Sequence, residues 1–228
     1  MTSYVLVHGA HGGGWMWTDV VSLLRAKGHD AFPVTLTGLG ERSHLATPEV
    51  NLSTHIEDVI NVIRFEDLTN MVLVGHSYGG MVITGVADRM PESVAHLVYV
   101  DAQLPEDGQS AADLNRVTPS DEDWLIQPPL PPPEAQSSLG WEKLTPQPRA
   151  TLVERLHLSK PIENQAFSRT FIKATKGVRR DTGPGSGSWR AADRVRASSA
   201  WTYHEIDTGH LVQAEKPAEL AELLLSLH

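Results

Sequence analysis

The segment that most restricts the fold of this chain surrounds a serine at position 77. An apolar run over residues 71–74 leads into Gly75-His76-Ser77-Tyr78-Gly79, and apolar residues at helical spacing follow. This pattern predicts a strand, a sharp turn and a helix, with Ser77 at the turn. Glycines on both sides remove the Cβ atoms that would clash in a strained turn. We therefore expect the Ser77 hydroxyl to stand free at a strand end, above the N-terminus of the next helix.

Strand-like and helix-like stretches alternate along most of the chain. Strands are predicted at residues 4–7, 31–36, 71–74, 95–100, 170–175 and 200–206, and helices at residues 17–27, 78–90, 189–197 and 217–227. A further helix is expected to open with a capping box formed by Thr54 and Glu57. The alternation predicts an α/β fold: a mostly parallel sheet of about six strands with helices on both faces. Ligands bind such sheets at the carboxyl ends of the strands, where both Ser77 and the glycine-rich loop 9–14 are expected.

Residues from about 105 to 164 interrupt the alternation. They contain runs of proline and only weak helical patterns, near residues 111–117 and 149–157. Two tryptophans and several leucines would be costly to expose in a floppy linker. We interpret the stretch as a small cap insertion over the carboxyl edge of the sheet, within a single domain of residues 1–228. Its apolar side chains favour a hydrophobic or aromatic substrate; they are Trp124, Leu125, Leu130, Trp141 and Leu144.

Charge and composition exclude several kinds of partner and chemistry. The net charge is −9, which disfavours binding to nucleic acid or to an anionic membrane surface. The chain has no cysteine, so disulfides and thiolate catalysis are excluded. The first residues lack the basic segment of a signal peptide, and no apolar run reaches membrane-spanning length. We therefore expect a cytoplasmic protein that acts on a small molecule, with a homodimer left open.

A serine hydroxyl is a poor nucleophile at neutral pH unless a neighbouring base takes its proton. Among the 11 histidines, His210 is the best candidate, because it follows the last predicted strand and stands beside a glycine. An acid is then needed to fix the tautomer of its ring. A lone histidine is more often a surface or core residue, and it is the turn at Ser77 that favours the catalytic interpretation.

Three segments resemble the α/β-hydrolase superfamily: Val7-His8-Gly9-Ala10, Gly75-His76-Ser77-Tyr78-Gly79 and Gly209-His210. Within it, residues 5–15 and 75–80 are similar to the branch of plant methylesterases, hydroxynitrile lyases and small bacterial esterases. The resemblance covers nearly the whole chain outside residues 105–164. It implies a carboxylesterase-type serine hydrolase that needs no cofactor. It also implies an oxyanion hole made by the backbone N–H groups of Ala10 and Tyr78, in agreement with the unpaired amides of a helix N-terminus.

The position of the acid departs from the pattern of this superfamily. Most members carry an aspartate two or three residues after the next-to-last strand, where this chain has Lys176 and Gly177. Asp181 follows a few residues later, in a loop that can fold back. Asp101 directly follows the strand after the nucleophile strand, a position that some members use. We prefer Asp101 because its placement is the more rigid; a strand-end cap or a salt-bridge partner is its structural alternative.

Other functions fit the sequence less well. The loop at residues 9–14 lacks both the ending of a P-loop and a clean dinucleotide fingerprint. His204 and His210 have the wrong spacing for a zinc helix, so no metal is expected. Cyanohydrin-cleaving relatives resemble a pattern with lysine after the histidine and threonine near the first glycine loop, whereas this chain has Leu211 and Ala10. A ligand-binding homologue with weak catalysis remains the alternative from another functional class.

Overall fold

The computed structural model describes residues 1–130, 140–177, 179, 182–183 and 185–227. The strands in this part of the chain are β1 Ser3–Val7, β2 Asp30–Val34, β3 Met71–His76, β4 Val94–Val100, β5 Leu125–Ile126, β6 Gln147–Pro148, β7 Ser168–Ala174 and β8 Thr202–Ile206. The α-helices are α1 Thr18–Ala26, α2 Leu52–Phe65, α3 Gly79–Arg89, α4 Ala111–Asn115, α5 Ala150–Val153, α6 Ser186–Arg196, α7 Val212–Glu215 and α8 Pro217–Leu225.

Six of these strands form one parallel sheet in the order β2-β1-β3-β4-β7-β8. The direction of strand addition reverses between β1 and β3, so the loops after these two strands flank a crevice at the carboxyl edge. The short strands β5 and β6 form a separate antiparallel pair. The predicted sheet of about six parallel strands with helices on both faces is confirmed.

Two apolar cores cover the two faces of the sheet. Along β1, Val5 and Val7 pack into one core, whereas Tyr4 and Leu6 pack into the other. The first core includes residues of α2, α3 and α6, and the second includes residues of α1, α7 and α8. Because both faces are covered, residues 4–7 of β1 and residues 71–74 of β3 are continuous apolar runs, as is usual in parallel sheets. No helix in the described part of the chain is both long and apolar enough to cross a lipid bilayer.

Residues 105–130 and 140–164 contain little regular structure between β4 and β7. The predicted helical patches at residues 111–117 and 149–157 are shorter in the structure, where they form α4 and α5. Helix α4 ends because Arg116 adopts a left-handed backbone with φ of 52°. Helix α5 ends at Glu154, whose backbone is extended. The proline run at residues 131–133 lies outside the described residues.

Two predicted helix starts are wrong. Helix α2 begins one turn earlier than the predicted box, because Asn51 caps it: its side chain accepts a 2.9 Å hydrogen bond from the Thr54 N–H. The Thr54 hydroxyl accepts in return from the Asn51 N–H at 3.3 Å. Glu57 instead forms an exposed ion pair with Arg89 at 2.8 Å. Helix α6 begins at Ser186 rather than Trp189, since Gly185 with φ of 82° starts it from within the glycine-rich loop.

The capping assignment leads to a stability prediction. Asn51→Ala should lower the free energy of unfolding by about 1 kcal/mol, because it leaves the amide of Thr54 without an acceptor. Glu57→Ala removes only an exposed ion pair and should change that free energy by less than about 0.5 kcal/mol. Urea unfolding of the two variants measures both values, and a larger loss in Glu57→Ala would contradict the capping box described here.

Candidate active site

Ser77 lies at the turn between β3 and α3. Its φ of 53° is left-handed, which is unfavourable for a residue with a side chain. Hydrogen bonds on both sides hold this conformation: its N–H donates to the Val100 carbonyl at 3.2 Å, and its carbonyl accepts from the Gln103 N–H at 2.9 Å. The strained turn is therefore attached to the end of β4 and to the chain that follows it.

The glycines of the turn are required by close packing. A Cβ on Gly75 would lie 2.7 Å from the carbonyl oxygen of Gly79. A Cβ on Gly79 would lie 2.7 Å from the carbonyl oxygen of Val7, at the end of β1. The turn thus packs directly against the glycine-rich loop that follows β1, and this contact brings the two loops of the crevice together.

The structure brings Ser77, His210 and Asp101 into one hydrogen-bonded chain. His210 lies in the loop between β8 and α7, and its Nε2 is 2.9 Å from the Ser77 Oγ. Its Nδ1 is 2.5 Å from the Asp101 Oδ2. A carboxylate accepts, so Nδ1 carries the proton and Nε2 is free to accept from the serine hydroxyl. Asp181, the other acid considered from the sequence, lies outside the described residues.

Asp101 is a buried charge at the end of β4. Its backbone is left-handed with φ of 44°, and its N–H donates to the Ile172 carbonyl at 2.7 Å. Its second carboxylate oxygen, Oδ1, accepts from the Lys173 Nζ at 2.5 Å. Burial alone would raise the pKa of Asp101, but the hydrogen bond and charge of His210 and the charge of Lys173 outweigh it and lower the pKa to about 2. Asp101 is therefore ionised at any pH near neutrality.

Sequence reasoning missed two residues of this cluster. Lys173 follows the apolar residues Phe171 and Ile172 inside β7, and a lysine in such a place is a signal that the sequence offers. His76 precedes the serine; its Nε2–H donates to the backbone carbonyl of His210 at 2.8 Å, and its Nδ1 accepts from the Gln213 side chain at 3.3 Å. It thereby ties the loop of His210 to β3, a contact that no local sequence pattern reveals.

Ala10 and Tyr78 both line the cavity in front of Ser77. Within the described residues, neither backbone N–H donates a hydrogen bond to another protein group. Tyr78 immediately precedes α3, so its amide belongs to the unpaired end of that helix. The Tyr78 ring is buried, and its hydroxyl donates to His55 Nδ1 at 2.9 Å while His55 Nε2–H donates to the Thr37 carbonyl at 2.9 Å. This relay anchors the residue next to Ser77.

A cavity of about 830 Å³ opens in front of the serine. Trp141 and Leu144 of the insertion and Trp189 of α6 form apolar parts of its wall. Trp124, Leu125 and Leu130 do not line it, which corrects part of the predicted apolar set; Leu130 is 89% exposed. Trp141 and Leu144 of the predicted set do line the cavity, and Trp189 of α6 adds an apolar wall that the sequence analysis did not predict.

The second histidine considered for a metal site lies elsewhere. His204 is within β8, opposite Ile172 of β7, whereas His210 lies in the loop beyond the strand. In the portion of the chain that the structure describes, no three histidine, aspartate or glutamate residues lie close enough together to hold a metal ion.

The sequence of residues 4–223 matches the alpha/beta hydrolase family. The chain is a member of the α/β-hydrolase family. A carbendazim hydrolyzing esterase of Nocardioides sp. is 53% identical over 110 residues, which are 48% of this chain and 46% of that protein. A putative chloroplastic methylesterase of Arabidopsis thaliana is 26% identical over 201 residues, and the match covers 75% of this chain and 45% of that protein. The matched regions thus span less than half the length of these two curated relatives.

Solved structures agree with the fold of this chain. One is an extracellular alpha/beta-hydrolase from a Paenibacillus species, described as homologous in structure and function to tobacco Salicylic Acid Binding Protein 2. It has a TM-score of 0.78 at 22% identity and covers 99% of this chain and 98% of its own chain. Polyneuridine aldehyde esterase has a TM-score of 0.72 at 19% identity and covers 100% and 99%. The predicted resemblance to the methylesterase and esterase branch is confirmed by these relatives, and at such identities the structures establish the fold.

Three buried histidines around the site make stability depend on pH. Burial lowers the pKa of His8 and His55 to about 4 and that of His76 to about 3, from an ordinary value of 6.5. The unfolded chain therefore binds more protons than the native protein below pH 6.5. The stability that these neutral rings contribute is complete above pH 6.5 and is lost progressively as the pH falls towards 4 and 3.

We therefore predict that the free energy of unfolding falls by about 1.4 kcal/mol per pH unit for each ring, and that these three rings take up nearly three protons on unfolding near pH 5. Burial also lowers the pKa of His11, which adds to the uptake. Urea titrations between pH 7 and 4.5 measure this slope. His55→Gln should reduce the uptake by about one proton, because it removes one of the buried rings. An uptake below one proton near pH 5 would contradict the burial of neutral rings.

Proposed function

We propose that this protein is a serine hydrolase that cleaves carboxylic esters of small molecules through an acyl-enzyme intermediate. The observation that carries the proposal is the hydrogen-bonded chain from the Ser77 Oγ through His210 to Asp101, with 2.9 Å between Oγ and Nε2. The hydroxyl at its end lines a cavity large enough for a small-molecule substrate. Nucleophile, base and orienting acid in this order form the arrangement needed to activate a serine.

The proposed first step is acylation of the serine. His210 Nε2 takes the proton from the Ser77 hydroxyl as Oγ bonds to the ester carbonyl carbon, and the carbonyl oxygen becomes negatively charged. The N–H groups of Ala10 and Tyr78 donate hydrogen bonds to this oxygen. When the tetrahedral intermediate collapses, the bond to the ester oxygen breaks, and the imidazolium of His210 returns its proton to the departing alcohol.

The proposed second step is hydrolysis of the acyl-enzyme. His210 Nε2 takes a proton from a water molecule while the water oxygen bonds to the acyl carbon. Collapse breaks the bond to Oγ, the proton returns to Ser77, and the carboxylic acid leaves. Throughout both steps Asp101 keeps the proton of the ring on Nδ1 and stabilises the imidazolium, as its low pKa allows. Neither of the two proposed reaction steps uses a cofactor.

The residues in the wall of the cavity favour a substrate with an apolar group. Trp141, Leu144 and Trp189 offer apolar surface to an acyl or alcohol group. The relatives support the same class: one is named as hydrolysing carbendazim and several are named as methylesterases. We propose hydrophobic or aromatic esters, including methyl esters and carbamate esters, as the substrates to test first.

Ser77→Ala tests the nucleophile. We expect kcat/KM for an activated aryl ester, such as p-nitrophenyl butyrate, to fall at least about ten-thousandfold, because the acyl-enzyme can no longer form. Ser22→Ala, at an exposed serine of α1, is the matched control and should retain full activity. Mass spectrometry after treatment with a fluorophosphonate should find the label on Ser77. Activity that survives Ser77→Ala would overturn the proposal.

Asp101→Asn tests the acid. The substitution should lower kcat by about ten-thousandfold, because an amide at this position favours the wrong tautomer of His210. Asp181→Asn is the comparison, since it tests the other acid that the sequence offers. Initial-rate assays on the same aryl ester measure kcat for both variants. A loss of kcat confined to Asp181→Asn would assign the acid to that residue instead.

A further inference from the structure

Lys173 is a buried cation in the middle of the proposed catalytic cluster. It belongs to β7, the strand after which most members of the superfamily carry their acid, and it is 1% exposed. Its neighbours Phe171 and Ile172 are fully buried apolar residues. An apolar side chain would suit such a position in a central strand, so the presence of a charge here calls for a physical reason.

Three groups surround the ammonium of Lys173. Nζ donates to the Asp101 Oδ1 at 2.5 Å and to the backbone carbonyl of Ala174 at 2.8 Å. It also lies 3.8 Å from the centroid of the Trp189 ring, which closes it off on the side of α6. A buried ammonium is stable only with such partners, and here they hold it in one place.

The two oxygens of the Asp101 carboxylate have separate partners. Oδ1 accepts from Lys173, and Oδ2 accepts from His210 Nδ1 at 2.5 Å. A carboxylate whose one oxygen is bound to a fixed cation can no longer turn about its terminal bond. The remaining oxygen is then directed at the histidine ring, which needs an acceptor in a fixed position.

We propose that Lys173 is a positioning residue of the active site: it takes one oxygen of Asp101 so that the other is held against His210, and it balances the charge of that carboxylate. The acid at the end of β4 and the cation on β7 then act as one unit. The proposal deepens the proposed function, on which its kinetic part rests.

The charge of Lys173 has a separate consequence from its position. Among the described residues, the other titratable groups that act on Asp101 or on the ring beside it are His210, His76 and Tyr203. Of the groups around the carboxylate, Lys173 is the one with a permanent positive charge within hydrogen-bonding distance in the described structure. Without it, the carboxylate would favour the protonated form of the His210 ring more strongly. The ring would then stay protonated, and unable to act as a base, up to a higher pH.

The test uses three substitutions at this position and one elsewhere. Lys173→Met removes the charge and keeps the length, Lys173→Gln keeps a donor without the charge, and Lys173→Arg keeps the charge. Lys176→Met is the matched control, because that lysine lies just beyond the same strand and is 58% exposed. The profile of kcat/KM against pH for p-nitrophenyl butyrate is measured for each folded variant.

For Lys173→Met and Lys173→Gln we expect a fall in kcat of about ten- to a hundredfold with KM within about threefold. The acid limb of the profile should move to higher pH by about half a unit to one unit. Lys173→Arg should keep the limb in place, and Lys176→Met should behave as the unchanged protein. An unmoved acid limb and a kcat within twofold in both uncharged variants would overturn the proposal.

A double substitution keeps the proposal falsifiable if the uncharged single variants do not fold. Asp101→Asn/Lys173→Met leaves no buried charge in the cluster, so it should melt at a higher temperature than Asp101→Asn alone. Because Lys173 acts through Asp101, the second substitution should cost less than about threefold further activity. A further loss of tenfold or more would show that Lys173 acts by another route, which overturns the proposal.

An NMR titration separates this proposal from the proposed function. The ring C–H signal of His210 is followed against pH in the unchanged protein and in Lys173→Met, or in Lys173→Gln where that variant folds better. A midpoint displaced to higher pH in the variant supports the role of Lys173 even if the unchanged protein hydrolyses no ester, a result that would defeat the proposed function alone. Coincident midpoints together with full ester hydrolysis would defeat the role of Lys173 alone.

Discussion

The arrangement at the carboxyl edge of the sheet depends on one buried carboxylate. Asp101 is 4% exposed, and a charge at such a depth is stable only with fixed partners of opposite charge or strong donors. It has one on each oxygen, Lys173 from β7 and His210 from the loop after β8. Three neighbouring strands of the sheet thus meet at one acid. These groups can come together because β4, β7 and β8 are neighbours in the sheet.

Two strained residues lie side by side at the same edge. Ser77 and Asp101 follow adjacent strands, and both have a left-handed backbone. Each donates its N–H to the end of the neighbouring strand: Ser77 to Val100, and Asp101 to Ile172. Such conformations persist only where the surroundings hold them, and here the ladder of the sheet extends into the turns. The sheet therefore fixes the backbone positions from which the side chains of Ser77 and Asp101 project.

The histidine is positioned differently, because it lies in a loop. His76 holds the backbone of His210 through its carbonyl, while Asp101 and Ser77 hold the two ring nitrogens. A loop that is attached at the main chain and at both ends of its ring has little freedom left. The proposed chemistry needs this restriction, because a general base must stay within hydrogen-bonding distance of the proton that it removes.

The sequence by itself determined the class of the fold and the strand ends from which the proposed catalytic groups project. Periodicity and glycine spacing are local properties, so the alternation of strands and helices, the turn at Ser77 and the loop of His210 could be read directly. The sequence predicts the wrong start for α2, because Thr54 can be either the first residue of a capping box or its last. Only the hydrogen bond between the Asn51 side chain and the Thr54 N–H decides between the two. Tertiary structure alone decided that Lys173 is the second partner of the Asp101 carboxylate, and which tryptophans face the cavity. The reason is physical: Lys173 is 72 residues from Asp101 along the chain, and their contact exists only because β4 and β7 are paired in the sheet.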